Sequence, residues 1–178
     1  GVFVMDELIF VRPSGVWQQQ IADYRREFEA SGDSIDGSGG LKTAHSLEDW
    51  LKAQDENTRE ETVRGGFVPA TTFLGVRASD SRLVGMVNIR HRLNDGLLVT
   101  GGHIGYSVRP SERRRGYAVQ LLGMALGECR RLGIEKALVT CYKDNIASAR
   151  TIQRCGGVLE NEIVKDGRAV QRYWIAVE

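Results

Sequence analysis

The residues most able to do chemistry in this chain crowd into one stretch, His103 to Leu126, which reads HIGYSVRPSERRRGYAVQLLGMAL. His103 to Val108 alternates as a strand does, Arg109-Pro110 stops it, three arginines precede Gly116, and an apolar pattern of helical period follows. Strand, glycine turn, helix is an arrangement for holding an anion. The amides of Arg114 to Ala118 would point outward at the positive end of a helix dipole, where a pyrophosphate can rest against backbone alone. Gly116 lets the chain approach phosphate closely and take a dihedral that a side chain would forbid. Arg113, Arg114 and Arg115 add charge-assisted contacts.

Three phosphate loops could be written this way, and the residues separate them. A Walker loop needs G-x-x-x-x-G-K-[ST], and this turn holds no lysine. A dinucleotide fingerprint needs three glycines where this turn offers one. What fits is R-x-x-G-x-A, filled by Arg113, Gly116 and Ala118. At these residues the chain resembles the GNAT superfamily of acyltransferases, whose coenzyme A loop is Q/R-x-x-G-x-G/A between a strand and a long helix. A second signature of that superfamily, an Asn-initiated helix ending at glycine before the last strands, resembles Asn145 to Cys155-Gly156-Gly157, which follows a strand at Lys136 to Tyr142. The likeness runs from Leu74 to Trp174, and Gly101-Gly102-His103-Ile104-Gly105-Tyr106 is most similar to a group of uncharacterised bacterial acetyltransferases.

The resemblance implies acetyl-CoA as co-substrate, with no metal. It places the pantetheine arm on the backbone of Tyr106, Ser107 and Val108, the phosphates on Arg113, Arg114, Arg115, Gly116, Tyr117 and Ala118, and Asn145 and Ser148 beside the arm near its sulfur. The implied activity is direct acetyl transfer to an amine, on a small molecule or a protein, in a ternary complex. The alternative from another class is an acyl-CoA-binding sensor of the same fold without turnover.

Two departures from the family pattern motivate that alternative. Many members carry a tyrosine acid seven residues after the Asn, where this chain has Ile152, and some carry a glutamate base five residues before it, where this chain has Thr140. The closing glycine pair is Gly156-Gly157 where Gly-Phe is usual. The acid must then come from elsewhere, with Tyr173, Tyr142 or a water as candidates. For the base His103 leads: it falls where relatives reading E-I-G-Y have glutamate, and an imidazole with a pKa of about 6.5 can take a proton at neutral pH. A strand-end histidine bonded to backbone is the competing reading, and His91 is the second candidate.

The elements that must hold these groups are readable in order. Leu8 to Arg12 is a short strand stopped by Pro13; Ser14 can cap a helix with Trp17, Ile21, Tyr24 and Phe28 on one stripe. A Gly/Ser/Asp loop, Ser31 to Gly40, leads to a capping box at Ser46 to Asp49 and a second helix with Leu47, Trp50, Leu51 and Gln54 on one side. Thr71 to Arg77 and Arg82 to His91 form a hairpin whose end is unusually polar, at Asn88, Arg90, His91, Arg92 and Asn94; an exposed edge and a substrate-facing end explain this equally well. Asn94-Asp95-Gly96 reads as a turn leading back to His103. After the loop, Leu121, Leu122, Ala125, Leu126, Cys129 and Leu132 share a helix face ending at Gly133. Ala137, Val139 and Cys141 alternate on a covered strand, and Asp166-Gly167 turns a last hairpin. The expectation is α/β: a GNAT fold with a mixed, mostly antiparallel central sheet flanked by helices, as one domain over residues 1–178.

In the resemblance the first two helices and their loop cover the acceptor side, so Asp33, Asp36, Glu48 and Asp49 are candidates to hold a cationic amine. The 178 residues suffice for a real core, and 24 basic against 23 acidic residues call for neither nucleic acid nor an anionic membrane. Cys129, Cys141 and Cys155 lack metal-ligand spacing, which suits a reducing, cytoplasmic setting. No apolar run has membrane-spanning length, Gly1 to Asp6 is expected to be a cloning remnant outside the fold, and a homodimer is the assembly to test for.

Overall fold

A computed structural model of the chain describes residues 6–178. In order these form β1 (Leu8–Val11), α1 (Gln18–Ser31), α2 (Leu47–Glu56), β2 (Ala70–Arg77), β3 (Arg82–Arg90), α3 (Asp95–Val99), β4 (Ile104–Val108), α4 (Tyr117–Arg131), β5 (Lys136–Tyr142), α5 (Ile146–Arg154), β6 (Val158–Lys165) and β7 (Arg168–Ala176). The strands pair as β1-β2-β3-β4 and as β5-β7-β6, each pairing antiparallel. This is the expected α/β architecture of the GNAT fold, with its sheet in two halves.

The halves are joined beside His103, where the Gly101 N–H also donates to Thr140 Oγ1 of β5 at 3.0 Å. The His103 N–H donates to the Leu138 carbonyl at 2.8 Å, and the Leu138 N–H donates to His103 Nδ1 at 2.9 Å. Beyond this junction β4 and β5 share no ladder, so each leaves an unpaired edge facing the other. Gly102 is required beside the junction: at φ 63° a Cβ there would stand 2.3 Å from the Leu138 oxygen.

Helices cover both faces of the first half-sheet. On one side Ile21, Tyr24 and Phe28 of α1 and Trp50 of α2 pack on Leu74, Val76, Leu83 and Met86. On the other side Leu121, Leu122, Ala125 and Cys129 of α4 and Ile152 of α5 pack on Val84, Val87, Ile89 and the inner residues of β5 and β7. Leu121 enters a hole made by two glycines: a Cβ on Gly75 or Gly85 would come within 2.5 or 2.4 Å of its methyl groups. That close approach sets the height of α4 over the sheet, and with it the position of the turn before α4.

The sequence placed these elements well and a few ends badly. Ser14 makes no side-chain cap; a turn of 3-10 helix, Gly15–Trp17, leads into α1 instead. Asn94-Asp95-Gly96 is the start of α3, with Asn94 Oδ1 accepting the Leu97 N–H at 2.9 Å. Leu132 lies past the end of α4 and is exposed. Of the segment set aside as a remnant, residues 1–5 lie outside the described ones, but Asp6 is tied to α4: its carboxylate accepts from the Tyr117 hydroxyl at 3.2 Å and its carbonyl from Gln120 at 3.0 Å.

Gly123 and Gly127, on the outer side of α4, have open space around them. Gly85→Ala should therefore destabilise by roughly 1–3 kcal/mol through crowding of Leu121 and the Ser107 carbonyl, whereas Gly123→Ala should stabilise by roughly 0.5–1 kcal/mol through helix propensity. Urea unfolding of the two variants beside the wild type checks both signs, and equal effects would contradict the packing described.

Candidate active site

The parting of β4 from β5 opens a cleft of about 530 Å³. Its roof is the loop between α1 and α2, and its far end holds the start of α5 and the turn between β6 and β7. Gly37, at φ 69°, lies so close to β4 that a Cβ on it would stand 2.4 Å from the Gly105 oxygen. The loop is held there by buried polar groups: Trp50 Nε1 donates to the Ser38 carbonyl at 2.7 Å and Gln54 Nε2 to the Gly39 carbonyl at 3.0 Å. Gln54 Oε1 accepts from the Thr72 hydroxyl at 2.7 Å, which accepts from Asn88 Nδ2 at 3.0 Å. Asn88, flagged for its polarity, thus belongs to the support of the roof.

On β4 the backbone groups alternate in direction. The Arg90 N–H bonds to the His103 carbonyl and the Arg109 N–H to the Val84 carbonyl, with Gly105 and Ser107 turned toward β3 between them. Ile104, Tyr106 and Val108 therefore direct their amides and carbonyls toward the open edge. The Ser107 side chain faces the opposite way and bonds the buried Tyr24 hydroxyl at 2.7 Å.

The turn before α4 is built on buried charge. Glu112, 5% exposed, accepts from Arg77 at 2.9 Å and Arg82 at 2.6 Å and lies 3.5 Å from Arg115. Burial acts to raise the Glu112 carboxyl, yet these arginines hold it below the ordinary value. Arg109 is likewise buried against Glu27, whose carboxylate also accepts the Ser111 N–H at 2.9 Å. Arg113 turns to Asp33 at 2.9 Å and covers the Phe28 ring. Arg114, at φ 65°, has no side-chain partner among the described residues. Tyr117 is buried, with its hydroxyl on Arg77 at 3.1 Å and on Asp6, so it offers the turn its amide alone. Asn94, Ser46 and Asn145 cap α3, α2 and α5 with their side chains, but Gly116 at φ 80° leaves α4 with none. The amides of Tyr117, Ala118 and Val119 are thereby open to an external acceptor.

At the α5 end, Asn145 Oδ1 accepts the Ser148 N–H at 3.1 Å, and both residues line the cleft. The Tyr106 hydroxyl meets Ser148 Oγ at 2.8 Å, one helical turn before Ile152. Burial pushes the Tyr106 phenol up to about 12, so it is protonated at neutral pH. Cys141 is also on the wall, its thiol pushed up to about 11 by burial.

Two catalytic candidates are not brought to this cleft. Tyr173 is 2% exposed in the core, its hydroxyl donating to Gln171 at 2.8 Å and accepting from Gln153 at 3.2 Å. The His103 ring is held at the junction of the half-sheets, where Nδ1 receives the Leu138 N–H. That bond requires the neutral tautomer with its proton on Nε2, which cannot accept another. His91 bonds Thr71 at 2.7 Å and also lies off the cleft wall. Of the four acidic candidates, Asp36 lines the cleft, Asp33 is engaged by Arg113, and Glu48 and Asp49 sit exposed in the first turn of α2. Tyr142 and Arg90 line the cleft as well.

A family model, the acetyltransferase (GNAT) domain, matches residues 20–158. The chain belongs to this family of N-acetyltransferases, whose acetyl donor is acetyl-CoA. The fold is shared with a protein assigned to the GnaT acetyltransferase family from Bordetella pertussis (TM-score 0.67, 16% identity, 98% of each chain covered). It is also shared with the spermidine/spermine N-acetyltransferase SpeG from Vibrio cholerae (TM-score 0.66, 15% identity, 96% of this chain and 92% of that one). No curated protein matches the chain at a significant level. Among the described residues no helix is long and apolar enough to cross a membrane.

Burial, and Arg90 nearby, lower the pKa of His103 from its ordinary 6.5. The unfolded chain therefore binds this proton at a pH where the folded one does not, and stability falls as pH drops below 6.5. Unfolding free energy measured at neutral and mildly acidic pH should show that drop, and it should be smaller in His103→Gln, whose amide oxygen can still accept the Leu138 N–H. An unchanged pH dependence in the variant would place the ring's proton balance elsewhere.

Proposed function

We propose that the chain acetylates a primary amine by direct transfer from acetyl-CoA with both substrates bound. The observation that carries this reading is a cleft that holds an open strand edge and a protonated tyrosine, on a strand, β4, that leads through one turn to the uncapped start of α4. The amides of Tyr117, Ala118 and Val119, with Arg114, would hold the phosphates, and the edge groups of Tyr106 and Val108 the pantetheine arm. The bound co-substrate supplies an acetyl group activated as a thioester.

Asp36 is proposed to take the proton of the acceptor ammonium and pass it to solvent. The nitrogen then bonds to the acetyl carbon as the bond to sulfur breaks. Tyr106 donates its proton to the leaving sulfur while Ser148 hydrogen-bonds the phenol oxygen, and the nitrogen's second proton restores the phenol. A thiol with a pKa of about 8.5 leaves readily, so this acid assists and is not indispensable. Tyr106 in this role would answer the absence of a tyrosine at Ile152, since its hydroxyl reaches the same face of α5 from the strand. His103 is proposed as the clamp of the cleft and Tyr173 as core.

The unpaired cysteines Cys129, Cys141 and Cys155 favour a cytoplasmic setting. The exposed edge of β6, with Val158, Leu159 and Val164, is where a second copy would be sought.

The test is release of free thiol from acetyl-CoA across a panel of amines. Amine-dependent release is expected, with intersecting initial-rate patterns that mark a ternary complex. Tyr106→Phe should lower kcat by roughly 10- to 100-fold with coenzyme A affinity retained, and Gly116→Asp should abolish coenzyme binding by setting a carboxylate among the open amides. Coenzyme binding without any amine-dependent release would instead favour the sensor reading.

A further inference from the structure

Arg90 is the cleft residue that the chemistry above leaves unused, and its surroundings differ from those of the other sheltered arginines. Arg77, Arg109 and Arg172 each meet carboxylates: Asp80 and Glu112, Glu27, and Glu160. Arg90 meets none within ion-pair distance among the described residues; its Nη1 donates to the Gly101 carbonyl at 3.3 Å, and no other protein acceptor bonds the guanidinium. The group sits low in the cleft, with Nη1 3.2 Å from the point that a Cβ on Gly105 would occupy. Gly37, Gly101 and Gly105 surround it, so no side chain from those positions covers its face. Burial works against its charge, and Asp36 on the cleft wall is the acid that offsets this.

A sheltered cation with no carboxylate in direct contact is unfavourable unless something supplies one. A guanidinium fork matches the paired oxygens of a carboxylate or a phosphate, and with the phosphates of the co-substrate assigned to the turn before α4 a carboxylate is the anion left for this site. We infer that Arg90 binds a carboxylate carried by the acceptor, and that the acceptor is therefore a small amino acid rather than a polyamine or a plain alkylamine. This rests on the acetyl-transfer reading above. Arg90 and Tyr106, the proposed acid, line the same cleft of about 530 Å³, so the carboxylate and the reacting nitrogen belong to one small molecule, as in an amino acid. Asp36 supplies the opposite charge for the ammonium end. The other cation of the cleft, Lys165, is exposed and bonded to Thr100 at 2.8 Å, which leaves it a lesser part.

The experiment compares kcat/KM of the full chain for a set of α- and β-amino acids, for the carboxamide of each, and for spermidine. Amino acids should exceed their own carboxamides by roughly ten- to a hundredfold, the worth of one charge-assisted pair. Arg90→Gln should bring the amino acids down to the level of the carboxamides, chiefly through KM, and Arg90→Lys should recover part of the difference. Calorimetry on coenzyme-saturated protein should show amino-acid binding that Arg90→Gln loses while coenzyme A affinity is kept. Equal use of carboxamides or a preference for spermidine by the wild type would overturn the inference and leave acetyl transfer standing, as would a preference that survives in Arg90→Gln. Failure of every amine to stimulate thiol release would overturn both. Should Arg90→Gln not fold, the wild-type ratio of amino acid to carboxamide decides the matter by itself.

Discussion

The cleft depends on one joint, the pair of hydrogen bonds between His103 and Leu138 with the bond from the Gly101 N–H to Thr140 Oγ1 beside it. Had the strands paired along their length, β4 and β5 would have closed one continuous sheet and satisfied every edge amide. Because they meet only there and then part, Tyr106 and Val108 keep backbone groups that must find a partner elsewhere. A ring nitrogen takes the place of a strand carbonyl at the joint, which gives the buried histidine there a structural part. Gly102 beside it tolerates the closeness that a side chain would not.

Charge then fixes what approaches the open edge. The turn before α4 carries three arginines in a row, yet two are turned to carboxylates, Arg113 to Asp33 and Arg115 to Glu112. Glu112 and Glu27 are the anchors, each held below its ordinary pKa by arginines and each tied to a different element of the fold. The turn is thereby a positioned piece of backbone, with Arg114 as its charge without a side-chain partner among the described residues. A like contrast, with the buried arginines Arg77, Arg109 and Arg172 that meet carboxylates, singles out Arg90 in the cleft, which meets none among the described residues.

Much of this was legible in the sequence, because periodicity and turn chemistry are local. The Ser46 cap, the Asp166-Gly167 turn and the stripe of α1 all follow from neighbours a few residues apart, and so did R-x-x-G-x-A with its helix. What could not be read were the long-range pairings: that the Tyr106 hydroxyl meets Ser148, that Tyr173 is enclosed by Gln153 and Gln171, and that the His103 ring faces a strand 35 residues away. The polar end of β3 was visible as an oddity, but its residues part ways in the fold. Asn88 supports the roof of the cleft and Arg90 faces into it, a division that depends on where Gln54 and Gly105 lie.

The central claim is that coenzyme A completes the open edge of β4 and the uncapped end of α4. Amide hydrogen exchange resolved by residue, with and without coenzyme A, tests it most directly. In the unliganded protein Tyr106 and Val108 should exchange faster than Gly105 and Ser107, which are bonded to β3, and coenzyme A should slow Tyr106, Val108, Tyr117, Ala118 and Val119 together. Binding that leaves those five amides unprotected, or an unliganded strand that shows no alternation in rate, would contradict the account.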